Sequence, residues 1–222
     1  MKLTYDGPFG LALLRVFHIF VTSVLFGATA VPYVVFAAVV GWQPTHLAVW
    51  LGVATLLPLG PSLHGLLATA EAVLAEDAPS GAARTFVAAW WLSARALWWF
   101  WLGASALLVA MAYRLSLAWS SDPAVASVAV VGAGLVAGAV QLWFVLLSGA
   151  DASTRGLLTA SLTGLVRRPL LTLAAVVLPV VALWLAGLPL VGPSLMLFLP
   201  GALGVALVLA ARGRMPRVVT SA

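Results

Sequence analysis

Four polar side chains sit inside long apolar stretches: Arg15, His18, His64 and Gln141. An imidazole can accept, donate or carry a proton, a carboxamide can do the first two, and a guanidinium is a fixed charge. Together they could hydrogen-bond a polar substrate or partner. The other reading of the same residues is structural, as hydrogen bonds between packed helices. Residues with the chemistry of catalysis do not converge. A His-Glu-x-x-His motif and a phosphate loop ending in Gly-Lys are both absent from the sequence. Gly60-Pro61-Ser62-Leu63-His64 has only the outline of a nucleophile elbow, because His64 stands where the second glycine is required. Of the six carboxylates, Glu71, Glu76 and Asp77 share one stretch, apart from Asp6, Asp122 and Asp151. No acid–base pair is therefore expected within the apolar part. Cysteine is absent, which removes thiolate chemistry, disulfides and Cys-based metal sites. The expectation is a non-enzymatic protein without cofactor or metal.

A membrane-embedded framework must position these groups. Hydrophobic residues make up 64% of 222 and charged residues 8%, with a mean hydropathy of +1.14. A soluble domain carries about 25% charged residues to coat its surface. About six helices of ~20 residues use up the chain. The expected fold is an all-α polytopic membrane protein, one transmembrane domain over 1–222. It is a bundle of about six transmembrane helices with one or two cytoplasmic interfacial amphipathic helices. The spans are placed at about 11–40, 46–70, 97–118, 123–149, 169–186 and 195–211. The first is longer than a ~30 Å core needs, so tilt or a bend at Pro32 is expected. Ala28-Thr29-Ala30 has the form of a cleavage site, yet the apolar run continues to Val40 and Arg15 interrupts it, so the helix is read as uncleaved.

The second span is broken by Pro58, Gly60 and Pro61, and the backbone groups freed there should face the bundle. Residues 82–95 read as a helix at the interface, with Trp90, Trp91 and Arg95. Asp122-Pro123 is a helix start, and Gly134-x-x-x-Gly138 lets a neighbouring helix approach closely. Arg155, Thr159, Thr163 and Arg167 recur every four residues, marking an amphipathic helix that Pro169 ends. Residues 169–211 read as two spans or as one span with a re-entrant piece.

Sidedness follows from the cations. Segments 41–46, 119–123 and 187–194 carry none, whereas the alternate gaps and ends hold every Lys and Arg except Arg114. Cationic loops stay cytoplasmic, so both termini are expected inside a plasma membrane crossed several times. On that frame His18, His64 and Gln141 fall about seven, six and eight residues above the inner ends of their helices, ~9–12 Å deep. They would form one polar layer with Arg15 just below. Glu71, Glu76, Asp77, Arg155, Arg167 and Arg168 would face the cytoplasm as a surface for a protein partner or for the lipid bilayer. A net charge of +5 and a pI near 10.8 do not imply nucleic-acid binding, since the cations sit at membrane edges and form no continuous basic face.

Three motifs carry a resemblance. They are Gly60-Pro61-Ser62 in the second span, Thr85-Phe86 followed by Trp90 and Trp91, and Arg167-Arg168-Pro169-Leu170 with Thr172. In their order and spacing the chain resembles the YesL family of small bacterial membrane proteins over most of its length. Members are commonly encoded beside carbohydrate ABC importers. The resemblance thus implies an accessory role in sugar uptake, with importer permease or ATPase subunits as partners. No catalytic residue comes with it. Glu71-Ala72 with Asp77-Ala78 also resembles the loop by which importer permeases contact their ATPase, without its downstream Ile-x-Leu-Pro. The alternative is that the chain is itself a transporter or permease subunit with a substrate path through the bundle.

Overall fold

A computed structural model describes residues 8–40, 45–75, 81–117, 122–147, 154–186, 195 and 197–212. All regular structure among the described residues is helical. Helix α1 runs Pro8–Val39 and contains Pro32. Thr45 caps α2 (His46–Leu56), its hydroxyl accepting from the Ala48 N–H at 3.2 Å. That bond satisfies one of the donors left over at a helix start. Pro58 interrupts the run, and α3 continues over Leu59–Leu74, four residues past the expected end at 70. His46–Leu74 is nevertheless one apolar stretch long enough to cross a membrane, as is Phe9–Val39.

Two corners follow. Helix α4 (Ala82–Ala96) meets α5 (Trp98–Leu117) at 84°. Helix α6 (Asp122–Leu147) leads to α7 (Thr154–Arg167), which meets α8 (Pro169–Ala186) at 89°. Two helical units are long and apolar enough to span a membrane, or up to four when each bent pair counts as one crossing. Helix α9 (Leu199–Arg212) is shorter, at 14 residues.

The corners have separate causes. At the first, Leu97 leaves helical geometry and is fully buried, while its N–H still bonds Ser93 O at 2.9 Å. At the second, Pro169 opens α8 where a proline's missing N–H costs nothing, and its ring disfavours helical backbone at Arg168. The Thr172 hydroxyl then lies 3.2 Å from both Leu165 O and Arg168 O, tying the new helix to the end of the old one.

The core joins α3, the α4–α5 corner, α6, α8 and α9 through Leu67, Leu97, Trp101, Val140, Leu171 and Val208. The outward face of α1 is apolar, with Phe17, Val24, Val31 and Val35 exposed. Apolar surface of that extent on a long helix fits a lipid surrounding, where water is not the solvent to be satisfied.

Candidate functional site

The break in the second apolar stretch is packed inward. Gly60, Pro61 and Ser62 are all buried. Pro61 has no N–H to offer the carbonyl of Leu57, and Pro58 none for Ala54, so the ladder lacks two bonds here. The next carbonyl, Pro58 O, keeps its helical donor and gathers two more. It accepts from Ser62 N–H at 3.3 Å, from the Ser62 hydroxyl at 2.6 Å, and from the Trp90 indole N–H at 3.3 Å. Gly60 is required by the Trp101 ring, which occupies the space a methyl group would need. The broken helix is thus held against α4 and α5 by two indoles.

One turn further along α3, His64 is 2% exposed and donates from Nδ1 to Ala89 O of α4 at 2.9 Å. A carbonyl oxygen only accepts, so Nδ1 carries the hydrogen of this bond and the neutral ring keeps its lone pair on Nε2. Gly65 beside it lets α4 come close, for a Cβ there would lie 2.9 Å from Phe86 O. Several buried hydroxyls bond back one turn, as Thr22 does to His18 O at 2.7 Å and Thr69 to Gly65 O at 2.8 Å. Ser93 is fully buried, and the carbonyl one turn before it is Ala89 O, the acceptor of the His64 bond. Ser93 Oγ and His64 Nε2 are both buried without a hydrogen-bond partner.

His18 is also buried, at 5% exposure, and its Nδ1 has no partner. No hydrogen bond among the described residues joins it to His64. Phe36 of α1 lies 3.3 Å from where a Gly52 Cβ would be, and Thr22 lies close to Leu66, Ala70 and Val73. These contacts fix α1 antiparallel to α2–α3 and put His64 level with about residue 27 of α1. The two imidazoles are then about nine residues, or ~13 Å, apart along the axis. Arg15 is exposed on α1. Gln141 and Arg155 lie in α6 and α7, but their side chains, like that of Arg114, are outside the described set. Glu76 and Asp77 are also outside it, and Glu71 is half-buried in the last turn of α3.

Sequence reasoning missed the cross-helix cap at Ser23. Its hydroxyl donates to Ile19 O at 2.9 Å and accepts from the Gly201 N–H at 2.9 Å. Gly201 stands in the first turn of α9, where N–H groups have no helical acceptor. A Cβ at Gly201 would lie 2.6 Å from Ile19 O. Pro200-Gly201 after an apolar run was the available signal.

Two apolar grooves open on the flanks. One of about 570 Å³ lies along Leu13, Leu14, Phe17, Phe20 and Phe198. One of about 360 Å³ lies at the break, between Pro58, Pro61, Trp90, Trp98 and Trp101. Neither is lined by a histidine. No group of three or more His, Cys, Asp or Glu that could hold a metal occurs among the described residues.

The amphipathic helices keep their cations outside. Arg84 and Arg95 of α4 are exposed with Val87, Trp91 and Leu92, and the Arg95 guanidinium sits 5.9 Å from the Trp91 ring centroid. On α7, Thr159, Thr163, Val166 and Arg167 are exposed while Ser161 is buried. The fold and these surfaces define an all-α chain with two to four helical units able to cross a membrane and two corner helices with cationic outer faces. Comparison with protein-family models, with curated proteins and with solved structures gives no match.

Proposed function

We propose that this chain is a non-enzymatic accessory component of a membrane transport system for carbohydrate, in the plasma membrane of a bacterium. In this reading it crosses the membrane six times and keeps both termini in the cytoplasm. The YesL resemblance supplies the transport context. The observation that carries the reading is the outer face of α4, where Arg84, Val87, Trp91, Leu92 and Arg95 are all exposed. Aromatic and Arg side chains on one exposed face are what a protein partner uses as anchors. The buried polar groups support a packing role for His64, which ties α3 to α4. A permease reading would need a path reaching the histidines, and the two grooves described above are lined by other residues.

Affinity purification of the full chain in mild detergent tests the proposal. Recovery of an ATP-binding subunit and a permease subunit is the expected result, and it should be lost in a Trp91→Ala, Arg95→Ala double variant. Recovery of the bare protein overturns the accessory role. Cysteines placed at His18 and His64 that react with aqueous reagents would instead favour a conducting path.

A further inference from the structure

The corner between α7 and α8 combines three properties on one surface. Arg167 and Arg168 are adjacent and exposed, and neither has an ion-pair partner among the described residues. No Asp or Glu follows Asp151 in the sequence. From the corner, Leu170, Leu173, Val177 and Trp184 follow at spacings of three, four and seven residues, all exposed. Those spacings set them on one helix face. The opposite face of α8 is spent on the core through Leu171 and Ala175. Among the described residues, nothing covers the arginines or the stripe.

We propose that this corner is a binding site for one anionic glycerophospholipid, its phosphate held by Arg167 and Arg168 and one acyl chain laid along Leu170, Leu173 and Val177. The chemistry of the two parts selects the class. Guanidinium groups match phosphate oxygens with paired N–H donors, and they do so best where water is scarce. A soluble phosphate would use the arginines and leave the stripe bare, whereas a lipid uses both. The 89° turn supplies the geometry. A helix lying at headgroup level hands the chain to one running into the hydrocarbon, so the cations and the stripe meet where headgroup and chains meet. Thr172, bonded to Leu165 O and Arg168 O, holds that turn. The site rests on the chain residing in a membrane and is independent of any transport partner.

Native mass spectrometry of the full chain in mild detergent, with phosphatidylglycerol or phosphatidylcholine added, tests it. One phosphatidylglycerol should be retained with about thirtyfold preference, each basic contact contributing roughly a factor of five. The Arg167→Gln, Arg168→Gln double variant should lose the preference, and Arg84→Gln should keep it. Millimolar inorganic phosphate should not displace the lipid. Equal retention of the two lipids by the natural chain overturns the site, and that comparison stands if the double variant fails to fold. So does a preference that survives the double substitution, falls equally in Arg84→Gln, or yields to phosphate. Release of the chain from membranes by alkaline washing would defeat the membrane reading itself. A chain that stays with washed membranes but ignores the headgroup defeats only this site.

Discussion

Among single residues, the glycines divide sharply by what surrounds them. Gly201→Ala would force a methyl group to 2.6 Å from Ile19 O and against the Ser23 hydroxyl that accepts the Gly201 N–H. Overpacking against backbone costs about 1–3 kcal/mol, so thermal unfolding in detergent should fall by several degrees. Gly138→Ala meets nothing within 4 Å. It should be neutral or stabilise by about 0.4–1 kcal/mol, since alanine loses less entropy in a helix. A loss of stability at Gly138 that depends on protein concentration would reveal a second helix docked there. The Ser93 hydroxyl is buried without a hydrogen-bond partner. Ser93→Ala should therefore leave stability within about 0.5 kcal/mol or raise it, measured by the same unfolding assay. His64→Phe removes a bond between helices and should lower stability by about 1–2 kcal/mol. The sequence marks His18 and His64 as polar groups in apolar surroundings, and burial of both agrees with that. It gives no means of setting their heights, because the heights depend on where α1 crosses α2–α3. Phe36 on Gly52 and Thr22 by Ala70 fix that register, and both are long-range contacts.

At the level of elements, the corners are the most specific features and were largely readable. Residues 82–95 and the Arg155–Arg167 repeat each mark a helix distinct from the span after it, and Pro169 marks the second boundary. The first boundary has no proline or glycine. It is held by Leu97, fully buried in the core beneath both arms of the turn. Leu97→Ala should cost about 2–5 kcal/mol through the cavity it leaves. Circular dichroism should show the helix content of the folded variant unchanged, since the residue packs the corner and does not propagate either helix. A folded variant of undiminished stability would mean that the turn is set elsewhere. The break at Pro58–Pro61 was also legible as a site that must face the interior. Its partners were not, because Trp90 and Trp101 are aromatic residues in a stretch that reads equally well as an interfacial belt. Gly134-x-x-x-Gly138 reads as a contact stripe, yet no other helix among the described residues lies within 4 Å of a Cβ at either glycine. Small residues permit close approach and do not by themselves supply the neighbour.

Viewed entire, the middle of the chain repeats a plan. A long apolar helix is followed by an amphipathic one and a right-angle turn into a further apolar helix, first as α2–α3, α4 and α5, then as α6, α7 and α8. Under the proposed topology α4 and α7 share the cytoplasmic side. The chain has no natural cysteine, so single cysteines at Arg84 and Arg167 report cleanly. Both should react with impermeant thiol reagents only when vesicles expose the cytoplasmic face, and a cysteine at Val39 should react from the other side. Labelling of Arg84 and Arg167 positions from opposite sides would end the six-crossing scheme. Composition sufficed to say that the fold is helical and lipid-compatible. The number of crossings depends on how bent pairs and the short α9 sit in the bilayer, which hydropathy alone does not encode.

The Ser23–Gly201 bond joins residues 178 positions apart. Helix α1 leaves the ribosome long before α9 has been translated, and its docking groove with Ile19 and Ser23 must wait, unfilled, through the synthesis of everything between. The contact that seats α1 against α9 therefore forms only after at least 178 further residues have been added to the chain.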